Sequence, residues 1–134
     1  MTKEYKVCSF YCFNKIDEKA LLSFSNKLSE IKNENLTGLI ILANEGINGT
    51  ICGEEKNINF VFEEIKSSLG DFDLNEKISF STQKIYKQLK VKIKSEIVTM
   101  GVSEIDPILD RGTYLDAFQW NQLLKDQNTV VIDT

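Results

Sequence analysis

Hydrophobic and polar positions along this chain switch between two periods, and the switches mark out its elements. Tyr5–Phe13 (YKVCSFYCF) is rich in aromatic residues and is closed by Asn14, which predicts a first strand. Asp17 is a suitable N-cap, and Leu21, Phe24, Leu28 and Ile31 then recur at spacings of three and four, with Leu22 widening the stripe. The pattern predicts a helix ending near Asn33–Asn35. Leu39–Ala43 and Ile47–Cys52 are apolar runs of strand length on either side of Asn44-Glu45-Gly46. Asn and Gly tolerate the left-handed backbone of a tight antiparallel turn, so this stretch reads as a hairpin. Leu39–Leu42 lacks polar alternation, as expected of a central strand rather than an edge.

Helical spacing returns at Ile58, Val61, Phe62, Ile65 and Leu69, with Gly70 as a natural stop. Ile78–Ser81 (ISFS) then predicts a short fourth strand. The order strand, helix, hairpin, helix, strand is the split βαβ pattern. It implies an α+β, ferredoxin-like domain: a four-stranded antiparallel sheet with both helices on one face. Phe10, Phe60, Phe62 and Phe80, with the two leucine-rich stripes, are its expected core.

Downstream the pattern changes. Residues 84–94 (KIYKQLKVKIK) hold five lysines and no acid, in a chain of net charge −4. Lys90, Lys92 and Lys94 alternate with Leu89, Val91 and Ile93, so an extended strand presents ammonium groups on one face and apolar groups on the other. Lys84 and Lys87 extend the charge through the preceding turn, and Tyr86 offers a stacking surface beside it. Such a stripe can neutralise successive phosphates; it can equally be an edge strand protected from aggregation by its lysines. Glu96 is expected to pair with a neighbouring lysine, and Glu54, Glu55, Glu63 and Glu64 to lie on solvated helix positions. Val102–Gly112, with the only proline, reads as a connector. Tyr114–Leu124 predicts a short helix capped at Asp116, with Trp120 and Leu124 on one face. Thr129–Asp133 (TVVID) has the β-branched pattern of a buried parallel strand. The expected division is therefore 1–101 for the ferredoxin-like unit and 102–134 for a connector and the opening of a second domain.

Composition narrows the chemistry. A chain of 134 residues, 42% hydrophobic and 27% charged, suits one well-cored domain. It contains no run of the roughly 20 apolar residues that would span a bilayer, and Met1–Phe13 lacks signal-peptide organisation, so a cytoplasmic protein without membrane contact is expected. Histidine is absent, which excludes a Ser–His or Cys–His catalytic pair and a two-His iron site within these residues. Cys8 and Cys12 lie on one predicted strand, roughly 13 Å apart, too far for a disulfide or a shared metal. Cys52 could sit beside one of them across the sheet; buried, reduced cysteines are expected for all three. No metal site, cofactor site or catalytic residue is evident.

Three motifs in order resemble one family, the rhodanese-related tRNA uridine hydroxylases. They are Glu45-Gly46-Ile47-Asn48-Gly49-Thr50; Leu89-Lys90-Val91-Lys92 with Glu96-Ile97-Val98-Thr99-Met100-Gly101; and Tyr114-Leu115 through Trp120-Asn121 to Val131-Ile132-Asp133-Thr134. The resemblance runs along essentially the whole chain. It implies an acylphosphatase-like N-terminal domain, a following rhodanese domain as its own partner, and oxygen-dependent hydroxylation of the wobble uridine of tRNA to 5-hydroxyuridine, with molecular oxygen as co-substrate. The rhodanese cysteine of such proteins lies downstream of this chain, and none of Cys8, Cys12 or Cys52 corresponds to it. The resemblance favours RNA binding by Lys84, Lys87, Lys90, Lys92 and Lys94, and shaping of a substrate site by Asn44, Glu45 and Asn48, which turn chemistry alone would otherwise explain. The alternative is an interaction module that docks on the rhodanese domain or on a sulfur-carrier partner. Acylphosphatase activity, suggested by the fold alone, would need an arginine in the loop after the first strand. Asn14-Lys15-Ile16 has none, and Arg111, the only arginine, lies in the connector.

Overall fold

The computed structural model describes residues 3–31 and 35–134. Its elements run β1 (Tyr5–Phe13), α1 (Glu18–Ser29), β2 (Leu36–Ala43), β3 (Gly46–Gly53), α2 (Glu55–Ser68), β4 (Asn75–Ser81), β5 (Leu89–Ile93) and α3 (Ala117–Leu124). The sheet order is β4-β1-β3-β2-β5. The first four strands are antiparallel neighbours, the ferredoxin-like arrangement; β5 adds to the outer edge of β2 in parallel.

Register explains the core. Cys8, Phe10 and Cys12 stand opposite Ile51, Gly49 and Ile47, which in turn stand opposite Gly38, Ile40 and Leu42. Residues paired across strands share a face, so these side chains form one apolar surface. Leu21, Phe24 and Leu28 of α1 and Ile58, Val61 and Ile65 of α2 close over it. Burying each such side chain contributes about 1.5–3 kcal/mol. Asp17 caps α1 as expected, accepting from the Ala20 amide at 2.8 Å. Gly70 ends α2 with a positive φ of 134° that other residues rarely adopt.

Several expectations need correction. Helix α1 stops at Ser29; of its predicted end, Asn33 lies outside the described residues. Leu22 is exposed. The fourth strand starts earlier, at Asn75, and forms the edge beyond β1. Phe80 sits on that edge, on the helix face but past the reach of the helices, and is 60% exposed; Phe60 is exposed on α2. Ile16 and Ile97, which no periodicity marked, are buried instead. All three cysteines are buried thiols. Cys52, however, pairs with Val7, one residue out of step with Cys8, so it faces the opposite side of the sheet. Helix α3 forms behind Asp116, with a capping box to Gln119. Thr129–Asp133 forms no strand: no strand of the described chain lies alongside, and Val130 is 83% exposed. Without an adjoining strand this segment has no ladder to satisfy its backbone groups and nothing to bury its β-branched side chains.

Candidate functional site

Both helices pack on one face of the sheet, and the basic strand borders the other, which is buried at Val7, Thr37 and Cys52 and open at Lys90 and Lys92. Lys90 stands opposite Leu39 and Lys92 opposite Ile41, while Leu89 and Val91 turn inward against the core. The alternation read in the sequence is therefore realised, with β5 as an edge. Lys94 follows the strand, its amide donating to the Leu42 carbonyl at 2.8 Å. Among the described residues, Lys87, Lys90, Lys92 and Lys94 make no ion pair, and all four are exposed. Lys84 and Lys87 are not on this strand. They lie on residues 82–88, which cross the end of the sheet from β4 to β5, roughly 19 Å for four strand spacings. Lys84 sits there with its ammonium 5.9 Å from the Tyr5 ring centroid.

Glu96 does not act as the expected lysine partner. Its carboxylate accepts from the amides of Met100 and Gly101 at 3.3 Å, shaping a turn. Glu54 and Glu55 do carry ion pairs, to Lys3 and Lys56 and to Lys6, and Glu64 links α2 to Lys27 of α1.

The hairpin tip is built differently from a left-handed Asn turn. Among the described residues no non-glycine has positive φ; Gly46 carries the strain at φ 153°, where a Cβ would meet the Cys12 carbonyl oxygen at 2.0 Å. Asn44 and Glu45 instead tether other segments. The Asn44 side chain donates to the Ile16 carbonyl at 3.0 Å. The carbonyls of Asn44 and Glu45 accept from the amides of Ile16 and Asn14 at 2.9 Å. Glu45 accepts from the Ile97 amide at 2.7 Å while Asn48 donates to the Ile97 carbonyl at 3.3 Å. The peptide at Ile97 is thus gripped at both ends, and its side chain is buried.

This grip holds residues 96–111 over the tip and creates an apolar cleft of 350 Å³, within the usual range for small-ligand sites. Phe13, Glu45, Val98, Met100, Pro107 and Arg111 line it. Arg111, remote in sequence, thereby reaches the end of β1. The amides of Asn14 and Ile16 in the adjoining loop are already engaged by the hairpin, so they are not available to cradle a phosphate.

A second cleft of 440 Å³ opens on the sheet face away from the helices and includes Ser9, Tyr11, Asn48, Thr50, Lys77 and Tyr114. Period-two polarity in Ser9 and Tyr11, and again in Asn48 and Thr50, was the available sequence signal for it. Tyr11 and Tyr114 share a hydroxyl hydrogen bond of 2.5 Å, which together with burial holds the Tyr11 phenol above its ordinary range. Burial also pushes the thiols of Cys8 and Cys12 up, reinforced by Glu76 and Asp73 respectively. Among the described residues no helix is long and apolar enough to cross a membrane.

Residues 5–97 match the family described as the UPF0176 acylphosphatase like domain. A tRNA uridine(34) hydroxylase of Prochlorococcus marinus (strain MIT 9515) is 53% identical over 97% of this chain and 42% of its own length. The protein of that name from strain MIT 9215 is 52% identical over 99% and 43%, and that from strain MIT 9313 is 38% identical over 97% and 42%. The chain thus spans less than half the length of these curated relatives. Among solved structures, BlrB, a BLUF protein in its dark state, matches with TM-score 0.50 at 15% identity, covering 71% of this chain and 74% of that one. BlsA in its ground state matches with TM-score 0.50 at 17% identity, covering 96% and 92%. These two likenesses concern the fold.

Proposed function

The chain belongs to the family of UPF0176 acylphosphatase like domains, and from that premise we propose that it is the tRNA-binding, substrate-positioning N-terminal part of an oxygen-dependent tRNA uridine 5-hydroxylase. The relatives named tRNA uridine(34) hydroxylase support this reading, since the match runs along nearly the whole chain. In it, residues 1–101 hold the RNA, residues 102–134 lead into a rhodanese domain that supplies the reactive cysteine, molecular oxygen is co-substrate, and the enzyme works in the cytoplasm. The observation that carries the reading is the pair Lys90 and Lys92. They project together from an exposed edge, without carboxylate partners among the described residues, in a chain whose net charge is negative. Lysines so placed grip phosphate as point charges and confer position rather than sequence choice.

The test is binding of unmodified tRNA by this chain and by Lys90→Gln/Lys92→Gln, between about 50 and 200 mM salt. Loss of two phosphate contacts lowers the slope of log affinity against log salt by about 1.8 on duplex and about 1.4 on single strands. A folded wild-type chain that fails to bind tRNA at low salt refutes the reading.

A second reading, docking on the following rhodanese domain or on a sulfur-carrier partner, is supported by the unpartnered apolar groups Phe118, Val130 and Ile132. The two readings are compatible. Acylphosphatase activity is disfavoured, because the loop after β1 carries no arginine and its Asn14 and Ile16 amides are occupied.

A further inference from the structure

The sheet face away from the helices holds a cleft whose chemistry differs from that of the lysine edge. Its rim carries a single lysine, Lys77, so charge alone gives it little attraction for a polyanion. What it offers is a dense set of hydrogen-bonding groups with one aromatic ring. Ser9 and Thr50 share a hydroxyl hydrogen bond of 2.9 Å, and Tyr11 and Tyr114 share another of 2.5 Å. In each pair one hydroxyl proton lies between the two oxygens, and the second is left to donate elsewhere. Asn48 must direct its Nδ2 to the Ile97 carbonyl, which leaves its Oδ1 as an acceptor. Tyr114 is 74% exposed, with a ring face available for stacking.

We propose that this cleft holds one unpaired pyrimidine base of an RNA strand, its ring stacked on Tyr114 and its edge read by Asn48 and the hydroxyl pairs. Uracil and cytosine each present one donor group and two acceptors on that edge, which complements one amide acceptor accompanied by hydroxyl donors. Adenine presents a larger surface with a different pattern. Single-stranded RNA is generally recognised in this way, by stacking on aromatic side chains and hydrogen bonding to splayed bases. The cleft lies across the sheet from β5, so a strand running over β3 and β2 could meet Lys90 and Lys92 with its phosphates and the cleft with a base. The proposal rests on the RNA-binding reading given above.

The test titrates the chain with hexauridylate, hexaadenylate and unmodified tRNA, followed by NMR shifts of the β1 and β3 amides. Wild type should bind hexauridylate more tightly than hexaadenylate. Tyr114→Leu should weaken hexauridylate about tenfold, the scale of one lost base stack, and Thr50→Val should reduce the preference over hexaadenylate. Tyr114 is exposed and Val matches Thr in shape, so circular dichroism should show both variants folded. If both bind hexauridylate like wild type while Lys90→Glu/Lys92→Glu loses tRNA, the cleft proposal fails and the tRNA-binding reading stands. If folded wild type binds tRNA but shifts no β1 or β3 amide with hexauridylate, the cleft proposal also fails. If it binds neither RNA, both fail together.

Discussion

Replacing Glu45 tests whether the hairpin tip positions the segment above it. Its carboxylate accepts from the Ile97 amide at 2.7 Å, the range of a charge-assisted hydrogen bond, and Ile97 is only 3% exposed. Glu45→Ala leaves that amide without its acceptor in a place poorly reached by water, a cost of about 1–3 kcal/mol. Glu45→Gln retains a carbonyl acceptor and loses only the charge assistance, so about 1 kcal/mol is expected. The strands below keep their own ladder, so the cost should fall on local opening of residues 95–101 more than on global unfolding. Native-state hydrogen exchange measures this directly. At 1.4 kcal/mol per factor of ten, protection of the Ile97 amide should fall between about 5-fold and 150-fold in Glu45→Ala, and several-fold in Glu45→Gln. Amides in the centre of β3 should be little affected. Unchanged Ile97 protection in Glu45→Ala would show that the contact does not hold the segment, and the apolar cleft would then owe its shape to burial of Ile97 alone.

Other substitutions probe the fold itself. Gly46→Ala forces a Cβ to within 2.0 Å of the Cys12 carbonyl oxygen at a φ that alanine avoids; urea unfolding should show a loss of about 3 kcal/mol or more, and a loss under about 0.5 kcal/mol would contradict the hairpin geometry. Phe24→Ala, at a fully buried position, should cost about 3–5 kcal/mol, whereas Phe80→Ala on the exposed edge should cost less than about 1 kcal/mol. Comparable losses would mean that β4 is covered after all. Stability should also decline in alkali: the thiols of Cys8 and Cys12 are raised in the folded state. Unfolded thiols release protons above about pH 8.5 while folded ones retain them, so the folded state binds more protons and loses stability as pH rises, until the folded values are passed. Denaturation from pH 7 to 10 should show this decline diminished in Cys8→Ala/Cys12→Ala relative to each protein's own value at pH 7.

Much of this protein could be read from local pattern. Strand β1, both long helices, the hairpin and the amphipathic basic strand follow from period, capping and turn residues, because each buries one face and the buried face leaves a periodic trace. The three-motif resemblance likewise required only the order of residues. Other features belong to tertiary structure. The sequence holds the period of β4 but not its place at an edge, so Phe80 reads as core until the helices are seen to stop short of it. That Cys52 faces away from Cys8 follows only from its register with Val7. Thr129–Asp133 has the composition of a buried strand, yet burial is a property of neighbours. The candidate site shows the same division. Lys90 and Lys92 declare their shared face by alternation, whereas Glu45 and Asn48 meet Ile97, and Tyr11 meets Tyr114, only where the folded chain brings distant segments together. Period records which side of an element is apolar; only the packed chain decides what that side meets.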